Sequence, residues 1–151
     1  MEGRYGSLVD VTATTFHLIT PECHAWASFV DKRKEASVFH HPSWSRVLSR
    51  SYGYGSKVAI VRQGDSIIAG LPLMKINSPL TGRRWVALPF SDHCVPLGVD
   101  DRARSLLVEG LATERDAGRT PRIEVRGPLG TGNEPREDSA VLHTLELEPD
   151  S

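Results

Sequence analysis

The sequence predicts a mixed α/β domain in which helices pack on a largely antiparallel sheet. Three observations carry this reading. Two Val/Ile-rich runs, Lys57–Gln63 and Ser66–Ile76, flank Gly64-Asp65 and read as a tight antiparallel hairpin in mid-chain. Two amphipathic helical patterns precede the hairpin and a third follows it. The resulting order is strand, two helices, three antiparallel strands, helix, strand, strand, which suits one sheet covered by helices. A chain of 151 residues forms one domain with room for a substantial core.

Each element has a local cause. Residues 1–7 read as a loose tail. Leu8–Ile19 is rich in Val and Thr and is expected as a strand. Thr20-Pro21-Glu22 has the form of a helix start, with a hydroxyl cap, a first-turn proline and an acid near the positive end of the dipole. Ala25, Trp26, Phe29 and Val30 give that helix its apolar face, and Asp31-Lys32-Arg33-Lys34 closes it. Pro42 opens the second helix, whose expected buried stripe is Trp44, Val47, Leu48 and Tyr52, with Gly53 and Gly55 as stops.

Ile67–Met74 is apolar on both faces, so it belongs at the centre of the sheet, with Pro72 at a bulge or an unpaired donor position. Asn77–Gly82 is a turn and Arg84–Leu88 the next strand. Asp100 or Asp101 caps a third helix carrying Ala103, Leu106, Leu107 and Leu111 on one face and ending at Gly118. Arg122–Arg126 is a short strand, Gly127–Asp138 a loop, and Ala140–Leu147 a last alternating strand.

Composition narrows the function. With 39% hydrophobic and 25% charged residues the chain is globular, and its formal net charge of -1 gives no overall basic field for DNA or an anionic membrane. No apolar run approaches the ~20 residues that span a bilayer. Cys23 and Cys94 show no metal-type spacing, and the first residues lack the basic and apolar regions of a signal peptide. The expectation is a cytoplasmic protein with free thiols.

The most informative stretch is Gly82–Gly98. A short apolar strand, Trp85–Leu88, is broken by Pro89, which cannot donate to a ladder. Ser91, Asp92, His93 and Cys94 follow at once, on a loop held by the strand end, where binding groups often lie. Three adjacent residues cannot line up as nucleophile, base and orienter, and no Gly-x-Ser-x-Gly elbow is present, so Ser91, Asp92 and His93 are not read as a hydrolase triad. Asp92 can accept from an amine and His93 can donate to a carboxylate or phosphate. Alternatively Asp92 caps the loop and His93 packs on it. Cys23-His24, His40-His41 and His93-Cys94 are ligand-type dipeptides, but adjacent side chains diverge, so no metal site is expected.

Four stretches resemble FemAB-like proteins, which are built from GNAT-type (acetyltransferase-fold) modules. They are Phe39-His40-His41-Pro42-Ser43-Trp44, Ala69-Gly70-Leu71-Pro72-Leu73, Gly82-Arg83-Arg84 through Leu88-Pro89-Phe90-Ser91-Asp92, and Ile123-Glu124-Val125-Arg126-Gly127. The match covers about residues 35–148 in the order read above. It implies a GNAT-like domain over residues 8–148, with 149–151 beginning a further segment, and the chain is read as an N-terminal fragment of a longer transferase or an isolated half. Family members transfer an amino acid or acyl group to an amine, for example in building peptidoglycan cross-bridges.

An acetyl-CoA enzyme should show Arg/Gln-x-x-Gly-x-Gly/Ala after a strand and opening a helix, where backbone N–H groups and the helix dipole hold the diphosphate. The nearest sequence approach is Arg126-Gly127-Pro128-Leu129-Gly130-Thr131-Gly132. Its spacing is one residue off, and Pro128 removes a donor. The expectation is therefore an acceptor-binding module with Ser91, Asp92, His93 and Arg126 at its cleft, and no cofactor held by this chain. An acyl-CoA or aminoacyl-tRNA donor belongs to the intact protein, with a small-molecule or peptidoglycan- or polysaccharide-precursor acceptor and a second GNAT-like module in cis or in trans. Alone, the chain is expected to be inactive. The alternative is a non-catalytic assembly module that pairs with a second GNAT-like subunit.

Overall fold

The mid-chain hairpin is the spine of the molecule. A computed structural model describes residues 13–80, 82–89, 93–125, 127 and 129. It shows the strands β1 (Thr14–Ile19), β2 (Gly55–Gln63), β3 (Ser66–Ser78), β4 (Gly82–Val86), β5 (Leu97–Gly98) and β6 (Arg122–Glu124). They form one six-stranded sheet in the order β1-β2-β3-β4-β6, with β5 also on β3. All pairs are antiparallel except β4 with β6, which is parallel. The fold class expected from the sequence is the one observed.

Register sorts the core into two layers. Phe16, Val61 and Ala69 lie across from one another on one face, as do Leu18, Ala59 and Leu71. Helix α3 (Asp101–Asp116) covers this face with Ala103, Leu107 and Leu111. Gly110 of α3 passes so close to β1 that an added Cβ would lie 2.2 Å from the Phe16 ring. The opposite face carries Val58 and Ile60, against which α1 (His24–Asp31) packs Trp26, Phe29 and Val30. Here Gly70 makes room, since a Cβ on it would lie 2.4 Å from the Trp26 ring. Leu71 and Leu73 are fully buried, as their central position predicts, and each contributes about 2 kcal/mol of transfer free energy. Pro72 pairs with Val58 of β2 and, on its other side, falls in the gap between β5, which pairs only with Ala69 and Gly70, and β4, which pairs from Met74 onward.

Several expected boundaries move. The first helix begins at His24 with Cys23 as its N-cap, and Thr20 and Pro21 form a turn instead, the Cys23 N–H donating to the Thr20 carbonyl at 3.2 Å. The second helix, α2 (Pro42–Tyr52), does start on Pro42, but Val47 and Tyr52 face outward and Ser45 is buried in their place. Its stripe follows Pro42, Ser45 and Leu48, a narrower face than hydrophobicity alone indicated. Gly53 ends α2 with φ 69° as the sequence requires, whereas Gly55 opens β2. Strand β3 runs on to Ser78, and β4 begins at Gly82 and stops at Val86. The two-residue β5 was not expected at all. The last expected strand, Ala140–Leu147, and the first part of the expected first strand lie outside the described residues.

Candidate functional site

The site is built where β4 leaves the sheet. Strands β4 and β6 run parallel through Arg84↔Arg122, Trp85↔Ile123 and Val86↔Glu124. The Ala87 N–H extends the ladder by one bond to the Glu124 carbonyl, at 2.8 Å. Beyond that bond the two strands part. Residues 87–89 and 93–96 form an excursion from the ladder, after which the chain rejoins β3 as β5 and enters α3. Space beyond the carboxyl ends of neighbouring parallel strands is the usual lodging place for ligands in open sheets.

In this protein Val95 and His93 of the excursion approach Gly127 beyond the end of β6. Leu88 opens the excursion with φ 46°, a left-handed conformation that costs a leucine on the order of 1 kcal/mol, and its side chain is fully buried. Cys94 and Pro96 are buried as well. Gly127, just past β6, has φ 128°, and a Cβ on it would lie 2.5 Å from the Val95 side chain and 3.4 Å from the His93 ring. Only glycine lets the chain pass there. His93 therefore stands half-buried between the excursion and the segment after β6.

The excursion is pinned from the other side by His40, in a 3-10 turn (Val38–His40) ahead of α2. The His40 Nε2–H donates to the Val95 carbonyl at 2.9 Å, while Nδ1 accepts from the Ser37 backbone N–H at 3.0 Å and lies 3.0 Å from the Ser37 hydroxyl. This arrangement needs a neutral imidazole. Burial holds the His40 pKa below its usual value, and the proximity of His93 acts in the same direction. Both ring nitrogens are engaged, so His40 has no lone pair to offer a metal. His41 is used too, its Nδ1 accepting from the Ser43 N–H as the N-cap of α2.

Cys94 is not a nucleophile here. Burial pushes its thiol up to about 12, so the thiolate is not formed near neutrality.

Of the four residues expected at the cleft, His93 is the one described, half-buried with its ring near Gly127. Ser91, Asp92 and Arg126 lie outside the described residues. Sequence reasoning missed His40 as the residue that holds the loop, because the partner carbonyl, on Val95, is 55 residues away.

Most of residues 126–132 lie outside the described residues. Among the described residues β5 (Leu97–Gly98) leads into α3. Set against Arg/Gln-x-x-Gly-x-Gly/Ala, the segment Val95-Pro96-Leu97-Gly98-Val99-Asp100 keeps the central glycine, has Val95 in place of Arg/Gln and has Asp100 in place of Gly/Ala. The Asp100 carboxylate accepts from the Ala103 N–H at 2.7 Å, and Asp101, in the first turn, pairs with Arg104. The Arg104 stem and the Asp100 carbonyl crowd the Cα of Gly98. Two carboxylates at the positive end of α3 repel a diphosphate, and one of them already occupies an N–H that would bind it.

No protein-family model matches the chain, and no curated protein sequence does. Solved structures do. A ribosomal-protein-alanine N-acetyltransferase from Brucella melitensis biovar Abortus 2308 superposes with a TM-score of 0.51 at 12% identity, over 87% of this chain and 100% of that one. An aminoglycoside acetyltransferase from an uncultured soil metagenomic sample gives 0.47 at 8% identity, over 88% and 97%. A probable acetyltransferase gives 0.43 at 13% identity, over 90% and 99%. The last two scores carry no argument. The first shows the fold: this chain is built on the GNAT-type acetyltransferase plan.

Proposed function

We propose that the chain is a GNAT-fold module that binds the amine acceptor in an acyl or aminoacyl transfer, in the manner of the N-terminal half of a FemAB-like enzyme. The observation that carries the reading is the half-buried His93 ring beside Gly127, past the carboxyl ends of β4 and β6. At the neighbouring helix start the Asp100 carboxylate already holds the Ala103 N–H, which disfavours a diphosphate there. An amine that lodges beside His93 has a base at hand. The nitrogen attacks the acyl carbonyl, its extra proton passes to the imidazole, and the donor's leaving group departs with the electron pair of the broken acyl bond. Alignment of the two reactants supplies most of the acceleration. The donor is then brought by another module, and this chain contributes the acceptor and its orientation.

The test is a nitrogen-15 NMR titration of the chain with glucosamine, an amino acid amide and a dipeptide. Saturable shifts at His93, Cys94, Val95 and Gly127, lost in His93→Ala, are the expected result. If none of these amines moves those signals, the acceptor reading fails.

A further inference from the structure

A cavity lies at the other end of β4, away from His93. Its volume is about 410 Å³, within the range of small-molecule sites, and Lys75, Asn77, Arg83, Trp85, Arg119 and Pro121 line it. The sheet register assembles it. Lys75 pairs with Trp85 and Asn77 with Arg83 across β3 and β4, so these four side chains project from one face. That face is the one covered by α3, and Arg119 reaches the cavity just after the helix ends.

Its charge runs against that of the whole chain, which is -1. Arg119 is neutralised by a two-pronged pair with Glu114, at 3.0 and 2.9 Å. The Lys75 ammonium rests 5.0 Å from the centre of the Trp85 ring. Among the described residues neither Lys75 nor Arg83 has a carboxylate partner. Two positive charges are thus left facing a concave space, with the Asn77 amide beside them and Trp85 and Pro121 as apolar walls.

From this juxtaposition we infer a binding site for a small phosphate monoester with a cyclic body, such as a sugar phosphate. A phosphate monoester carries about two negative charges near neutrality, which matches Lys75 and Arg83. The space exceeds what a bare phosphate fills, and the ring body lies against Trp85 and Pro121 while its hydroxyls meet Asn77. The inference does not depend on the acceptor reading, since no residue is shared between the two sites.

The experiment uses the whole chain and three probes, glucose 6-phosphate, inorganic phosphate and glucose, followed through the Trp85 indole N–H and the backbone signals of Lys75 and Asn77. Glucose 6-phosphate is expected to saturate these signals at lower concentration than phosphate, and glucose to leave them unmoved. Lys75→Met and Arg83→Ala, both at exposed positions, should each weaken glucose 6-phosphate binding by about tenfold or more. Arg102→Ala, on α3 outside this cavity, should not. Binding of glucose 6-phosphate no tighter than glucose overturns the inference, as does binding indifferent to both substitutions in chains whose melting temperature is unchanged.

Discussion

The His40 Nε2–H donates to the Val95 carbonyl at 2.9 Å, tying the turn before α2 to the excursion that follows β4. His40 is 1% exposed, so its ring cannot turn to water if the Val95 carbonyl is lost. The bond holds Val95 against the turn before α2. His40→Ala should therefore lower stability by about 3 kcal/mol, combining a lost buried bond with a cavity. It should also broaden the NMR signals of His93–Val95 more than those of the distant β1–β2 pair. Urea unfolding and line widths check both.

The same residue sets a pH dependence. Its folded pKa lies below the ordinary 6.5, so between those two values the unfolded chain binds more protons than the folded one. The stability contributed by neutral His40 is complete above about pH 6.5 and falls away as the pH drops through and below that value. Urea midpoints measured from pH 7.5 down to 5.5 should decline in the native protein. The decline should be shallower in His40→Gln, whose amide does not titrate.

Gly70 and Trp26 are in contact across the sheet–helix boundary. A methyl at Gly70 would meet the Trp26 ring at 2.4 Å and the Ala59 carbonyl at 3.2 Å. Trp26 is wholly buried and cannot yield freely, so Gly70→Ala should cost about 2 kcal/mol. Gly110→Ala should cost less, because the Phe16 ring it would strike is only half-buried. Thermal unfolding of the two variants gives the comparison.

Cys94 offers a chemical check on the site. In the folded protein a thiol reagent should modify the partly exposed Cys23 and spare Cys94, with both reacting in urea. Rapid labelling of Cys94 in the folded chain would show that the excursion is open.

Much of the fold was legible from local signals. The hairpin, the proline that opens α2, the Asp100 cap of α3 and the glycine stops at Gly53 and Gly118 are all written within a few residues of where they act. Thr20-Pro21 misled because a good cap-and-proline signal was overridden by the turn that delivers Trp26 to Gly70. Val47 and Tyr52 misled because a helix resting on the sheet near its edge buries a narrower stripe than its apolar residues offer. The excursion was visible only as a broken strand. Its return as β5 rests on two backbone pairs to β3, and its anchor rests on a histidine far back in the chain. Neither leaves a local pattern. His93 was singled out because residue types past a strand end are informative. The strand-to-helix junction at Gly98 could have been found by placing the loop pattern ahead of the Asp100 cap, since its central glycine stands there.

One titration bears on the whole account. Acetyl-CoA added to the nitrogen-15-labelled chain should leave the signals of Gly98, Asp100 and Ala103 without saturable change, because Asp100 and Asp101 hold the start of α3 against a diphosphate. The amine acceptors, in the same experiment, should move His93 and Gly127. Saturable shifts at Gly98–Ala103 with acetyl-CoA would contradict the account and make this chain a donor-binding enzyme in its own right.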